Sequence, residues 1–204
     1  MVDYTIGLSK SRRRRRGRQS LQKLIGRVKA IMFSPQAAWP IIAQDPGETR
    51  MVLARHVAVL ALIPAIARFV GGSLIGGFTP IDLGLGDAIA GYILAFVSVV
   101  IVAVSIRALA PTFGADKTTK NALKLTVYSY TPAWLAGIFL LVPGLSFLSI
   151  LGLYGFYLLW LGLPVLMRAP RDKALPYALL VVLIAMVLAI VTTFLPYAFM
   201  RGGR

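Results

Sequence analysis

The sequence predicts an all-α polytopic membrane protein: five transmembrane helices, N-terminus cytoplasmic, preceded by a basic amphipathic helix. Three observations predict it. Residues 57–67, 88–106, 133–142, 145–167 and 174–199 are uncharged apolar runs, each ended by Gly, Pro or a short charged cluster. Charged residues make up 14% of the chain, against roughly a quarter in a soluble domain, and mean hydropathy is +0.78. The net charge of +15 is concentrated at the front, ahead of the first run. A bilayer crossing needs about 20 apolar residues in a helix. An open strand edge in hydrocarbon would leave backbone groups unpaired, so each crossing is helical.

Residues 1–18 are polar and Arg-rich, with no apolar periodicity, which predicts a disordered tail. Residues 19–45 form an amphipathic, interfacial helical segment. Leu21, Leu24, Ile25, Val28, Ile31 and Met32 recur at helical spacing beside Gln22, Lys23, Arg27 and Lys29. Such a helix lies in the membrane interface, or packs on the cytoplasmic ends of a bundle, or does both. Ser34-Pro35 supplies an N-cap and first helical position for a short helix carrying Trp39, whose indole suits an interface.

Residues 46–200 form the five-helix domain. Asp45 caps, Pro46 opens and Glu48 completes a capping box for the first span, which runs to about Gly77. The second runs from about Asp87 to Ala108. The third begins near Thr119, enters the membrane around Thr126, bends at Pro132 and ends at Pro143. Pro143-Gly144 forces a tight hairpin into the fourth, Ser146 to Met167. Pro176 opens the fifth, which ends near Met200.

Basic residues near helix ends set the orientation. The front segment, the loop with Arg107, Lys117, Lys120 and Lys124, and the loop with Arg168, Arg171 and Lys173 are positive. The connection 78–87 holds two acids and no base, and Pro143-Gly144 is neutral. The alternation places the N-terminus in the cytoplasm and the C-terminus outside, although Arg201 and Arg204 oppose it. The protein is then a multi-pass protein of a bacterial inner membrane, with Tyr177 and Tyr197 as interfacial anchors. The Arg run is no secretion signal by pattern, because an amphipathic stretch rather than an apolar core follows it.

Little supports catalysis or a cofactor. There is no Cys and one His, His56, so thiolate chemistry and His clusters for a metal are excluded. No phosphate-binding loop of the P-loop form occurs, and the acids lie mostly in loops or at helix starts. The chain reads as non-enzymatic, with no cofactor. The candidate lipid-binding residues are Arg12, Arg13, Arg14, Arg15, Arg16, Arg18, Lys23, Arg27 and Lys29. They form a cationic block that attracts anionic phospholipid. No aromatic interleaving or motif marks them for specific nucleic acid.

Arg68 lies inside the first span, where a charge is costly enough to suggest function. It either contacts an anionic head group or substrate, or snorkels outward and pairs with Asp82 or Asp87. Gly71, Gly72, Gly76 and Gly77 follow it, a small-residue surface suited to close helix packing. Tyr128, Tyr130, Trp134, Tyr154, Tyr157 and Trp160 make a polar aromatic stripe on the third and fourth helices. Arg68, Asp87, Tyr128, Tyr130, Tyr154 and Tyr157 are the candidate intramembrane polar site. The bland reading of these rings is bundle packing with interfacial anchoring.

Phe33-Ser34-Pro35, Ala38-Trp39, Ile42 and Pro46 resemble the start of prokaryotic Yip1-domain proteins. Tyr128, Tyr130, Pro132, Gly137, Pro143, Tyr154, Tyr157 and Gly162 resemble their third and fourth helices, so the resemblance covers roughly residues 24–195. It implies a five-helix bundle and a part in membrane organisation or a trafficking-like process, acting through anionic lipid and partner recruitment. Eukaryotic members act with prenylated small GTPases, but their Asp-Leu-Tyr-Gly-Pro motif is missing from this chain. Other membrane proteins or a second copy are further partner classes. The alternative function is a small-solute transporter, channel or lipid scramblase with a polar path near Arg68 and the Tyr-rich helices.

Overall fold

The computed structural model describes residues 22–45 and 50–202, with side chains described through Thr192. The Arg run and the capping-box residues Pro46 and Glu48 lie outside them. All described elements are helical. α1 (22–33) breaks at Ser34 and α2 (Pro35–Gln44) follows. α3 (Arg50–Leu60) passes through Ala61 into α4 (Leu62–Phe69), which ends in a π turn, Val70–Ile75. α5 (Ile81–Leu109) closes with a 3-10 turn, Ala110–Phe113. α6 (Thr119–Ala136) continues as a 3-10 turn, Gly137–Leu141. A 3-10 segment, Pro143–Leu153, feeds α7 (Tyr154–Leu166), and α8 is Arg171–Gly202.

Among the described residues, four helical stretches are long and apolar enough to cross a membrane: Arg50–Ile75, Ile81–Phe113, Pro143–Leu166 and Arg171–Thr192. The second starts at Ile81 rather than near Asp87, so Asp87 lies within it. α6 is not among the four, because Lys120, Asn121, Lys124, Thr126, Ser129 and Thr131 make it too polar. It is instead the element that the others enclose. It packs against α3, α4, α5, α7 and the 3-10 segment before α7. Lys124, Leu125, Thr126, Val127, Tyr128 and Thr131 on it are all buried. Its Lys124, Thr126 and Thr131 side chains meet protein carbonyls, where hydrogen bonds replace hydration.

α6 and α7 run antiparallel and meet at glycines. A Cβ on Gly162 would lie 2.5 Å from Leu125 and 2.8 Å from the Trp39 ring. One on Gly155 would collide with the Ser129 carbonyl. The first crossing approaches the α6 continuation in the same way. Gly71 faces the Leu140 carbonyl, and a Cβ on Gly137 would lie 2.6 Å from Pro64. Small residues allow such backbone approach where lipid supplies no hydrophobic drive between helices.

Three placements differ from the sequence reading, and for Lys124 and Tyr177 it is because a neighbouring carbonyl supplies what water would. Lys124, assigned to a basic loop, is 1% exposed on α6. Trp39, expected at an interface, is fully buried and edge-on to Tyr128 at 6.2 Å. Tyr177, expected as an anchor, is buried between α5 and α8, where it donates to the Ile106 carbonyl and stacks on Phe113 at 4.6 Å. The apolar stripe of α1 also turns inward. Ile31 is fully buried and Val28 and Met32 pack on the core, while Lys23, Lys29 and Ile25 remain exposed.

Candidate functional site

The strongest polar constellation sits where α2 meets α6. A helix ends with carbonyls that have no intrahelical partner. At the end of α2 the Lys124 ammonium takes up this role. It donates to the carbonyls of Ile42 at 2.6 Å, Asp45 at 3.1 Å and Ala43 at 3.4 Å. A cation at a helix C-terminus also meets the negative end of the helix dipole. Asp45 is bridged in turn by the Arg27 guanidinium from α1. Lys124 thus binds the end of α2 to the bundle, while Arg27 ties α1 to the same end.

Lys124 was the residue that sequence reasoning missed. The signal was present: Lys124, Tyr128 and Thr131 stand at i, i+4 and i+7 and share one face of α6. That face carries the next polar contact. His56 Nε2 lies 3.1 Å from Thr131 Oγ1, and its ring stands edge-on to Tyr128 at 5.0 Å. The Thr131 hydroxyl donates to the Val127 carbonyl at 3.2 Å, so its oxygen accepts from the imidazole. With its proton committed to a carbonyl, that hydroxyl is poorly set for activation by His56. No group of three His, Cys, Asp or Glu suited to a metal occurs among the described residues.

Arg68 and Asp87 meet across α4 and α5. Arg68 Nη2 lies 2.8 Å and 3.1 Å from the two Asp87 carboxylate oxygens. Asp87, not Asp82, is therefore the partner of the intramembrane arginine. Pairing is the ordinary way to hold charge within a membrane protein. The π turn Val70–Ile75 begins just past Arg68, and Gly84 makes room for Ser73 from it.

The tyrosines do not join this pair. Tyr128 belongs to the Trp39–His56 cluster, and Tyr130 packs with Trp134 at 5.7 Å. Tyr154, Tyr157 and Trp160 form a ladder along α7, with ring centroids 5.5 and 6.1 Å apart. The Tyr154 hydroxyl donates to the Met32 carbonyl at 3.1 Å. The six residues of the expected polar site thus fall into separate groups. One cavity of about 550 Å³ opens between α6, α7 and α8, rimmed by exposed Phe147, Ile150 and Met186. The Ser129 hydroxyl within its lining is buried and has no hydrogen-bond partner.

A family model described as the Yip1 domain matches residues 29–192. The chain belongs to the Yip1 domain family. The Yip1 domain therefore includes the end of α1, α2 with its Lys124 anchor, the Arg68–Asp87 pair and all four apolar crossings. Together these make the chain a multi-pass membrane protein of the Yip1 type, a family that is in general non-enzymatic. No curated protein and no solved structure shows a significant match to it.

Proposed function

We propose that this Yip1-domain protein, of the family's prokaryotic branch, is a non-enzymatic membrane organiser with a trafficking-like role. Its basic front binds anionic phospholipid of a bacterial inner membrane, and its bundle recruits a partner membrane protein or a second copy. α6 and its 3-10 continuation form a fifth crossing. They measure about 27 Å plus about 10 Å at the rises of the two helix types, enough for a hydrocarbon core of about 30 Å. The N-terminal segment lies in the cytoplasm.

The observation that carries this reading is the two-sided α1. Its Val28, Ile31 and Met32 are engaged by the bundle, while Lys23 and Lys29 are displayed outward. A helix fixed on protein offers its cations to lipid phosphates without a further loss of ordering entropy. The six arginines between Arg12 and Arg18 extend the same charge along the chain. Each basic residue near an anionic surface contributes about 1 kcal/mol.

The test is native mass spectrometry of the protein released from mixed micelles of phosphatidylglycerol and phosphatidylcholine. Retention of phosphatidylglycerol is expected to exceed that of phosphatidylcholine. It is expected to fall when Arg12, Arg13, Arg14, Arg15, Arg16 and Arg18 are changed to Gln. Equal retention of the two lipids would end the proposal.

A second reading, movement of a lipid or small solute, is favoured by the 550 Å³ cavity that opens between exposed apolar side chains and holds the unpartnered Ser129 hydroxyl. Its expected outcome is flux of a fluorescent lipid or solute across reconstituted vesicles. Flux no greater than in empty vesicles, with the protein folded, retires it.

A further inference from the structure

We infer that α1 and α2 form a re-entrant helical hairpin whose tip, Phe33-Ser34-Pro35, enters the acyl chains of one leaflet. The leaflet is the one on the side where α6 begins and α7 ends. This rests on the bilayer placement of the bundle adopted above and not on the charge of the lipid.

The depth of the hairpin follows from residue-to-residue contacts. The water boundary on this side is marked by the end of α7. There Asp116 N–H donates to the Met167 carbonyl at 2.7 Å, and Arg168 and Asp116, both largely exposed, form an ion pair at 3.5 Å. Asn121 Nδ2 donates to the Leu166 carbonyl at 2.8 Å, so the first turn of α6 stands at the same level. From there α2 descends along α7. Its C-terminal carbonyls meet Lys124 on the second turn of α6, Trp39 meets Gly162, and the Met32 carbonyl meets the hydroxyl of Tyr154. Tyr154 is twelve residues from Leu166, or about 18 Å along α7 at 1.5 Å per residue. Half of a hydrocarbon core is about 15 Å. The break between α1 and α2 therefore lies near the bilayer midplane.

The chemistry along the hairpin agrees with that depth. Arg27 and Asp45 pair at its open end, near the boundary. Of its exposed side chains further in, Ile41 is 66% exposed and Phe33, at the tip, 84%, and the exposed polar ones on α2 and its cap, Ser34 and Gln36, are neutral. In water Phe33 would be an exposed liability, whereas in lipid it is solvated. Lys29 is the one exposed cation between Arg27 and the tip, and its four-carbon stem lets the ammonium snorkel toward the boundary.

The backbone supplies an independent argument. Ending α1 at Ser34 orphans its last carbonyls, and an unmet carbonyl is costly in hydrocarbon, where no water can serve it. Tyr154 meets one of them, at Met32. Pro35 starts α2 at a position where an N–H would itself have no partner. Such breaks are tolerated at membrane depth where protein side chains satisfy the freed groups.

The experiment uses the natural absence of cysteine. Phe33→Cys, Ile41→Cys and Gln22→Cys are each introduced into the full chain, all at exposed positions, and reconstituted in phosphatidylcholine vesicles. The F33C thiol is expected to react at least about tenfold more slowly than the Q22C thiol with a charged maleimide, because that reagent does not enter hydrocarbon. An environment-sensitive fluorophore at F33C is expected to be quenched best by a lipid nitroxide near the chain midpoint. One at I41C is expected to be quenched best by a nitroxide near the glycerol. Equal maleimide rates at the two sites, or shallow quenching at F33C, overturns the hairpin. So does protection of F33C from both reagents together with its crosslinking to a second copy. The vesicles carry no anionic lipid, so deep quenching at F33C stands even if the phosphatidylglycerol preference fails.

Discussion

Replacing Lys124 with methionine keeps most of the side chain's length and removes its ammonium. Two of its hydrogen bonds lie within the usual distance limit, 2.6 Å to Ile42 and 3.1 Å to Asp45. A hydrogen bond involving a charged group contributes about 1.5–3 kcal/mol, so the pair contributes about 3 kcal/mol at the lower end of that range. Methionine also relieves the cost of burying a cation, which works in the opposite direction. The carbonyls left at the end of α2 then lose their donor in a buried place, at about 1–3 kcal/mol each, which offsets that relief. The docking of α1–α2 on the bundle should therefore weaken by about 3 kcal/mol. At 1.4 kcal/mol per decade this is roughly a hundredfold rise in the open population.

The assay is thiol labelling of Ala38→Cys, a site 3% exposed on α2, with Val102→Cys, 2% exposed on α5, as the reference. Labelling of a buried thiol reads the free energy of local opening. K124M is expected to accelerate labelling at A38C by about a hundredfold and at V102C by less than about threefold, the difference measuring release of α1–α2 alone. An unchanged rate at A38C would refute the argument that Lys124 holds α2. Equal acceleration at both sites would refute the claim that the hold is local.

Three further outcomes follow from the same geometry. Tyr154→Phe removes the donor to the Met32 carbonyl, costing about 1–3 kcal/mol of docking energy; labelling of Ala38→Cys should rise about fivefold or more, and an unchanged rate would show that the carbonyl has another donor. Asp87→Asn leaves Arg68 partly buried without its carboxylate. With Arg68 31% exposed, the loss should be about 1–2 kcal/mol, below that of a fully buried pair. Thermal unfolding in detergent should give a double-mutant cycle with Arg68→Gln in which the second change costs much less than the first. Gly155→Ala places a methyl against the Ser129 carbonyl, and overpacking of this kind costs about 1–3 kcal/mol. The control, Gly144→Ala, has open space around it and should leave the unfolding temperature unchanged.

Much of the candidate site was legible only as composition. Arg68 stood out because an uncharged run surrounds it, and its partner came from two acids near the next helix. Choosing Asp87 over Asp82 required knowing that α5 begins at Ile81 and so carries Asp87 toward α4. The tyrosine stripe was visible as a pattern, but its unity was not real. Tyr128, Tyr130 and Tyr154 point to three different neighbours, because α6 and α7 are antiparallel and each presents several faces.

Hydropathy and period sufficed for the all-helical class and the membrane, because the bilayer punishes an exposed charge or an open backbone wherever it falls along the chain. They misjudged Lys124 and Tyr177 for one shared reason. Hydropathy assigns a polar side chain to water, yet a carbonyl on a neighbouring helix serves the Lys124 ammonium and the Tyr177 hydroxyl equally well. The end of α2 and the carbonyl of Ile106 become available only when distant segments pack together. Local pattern could establish that the chain enters hydrocarbon, and the meeting of α2 with α6 and α7 decided which polar groups go in with it.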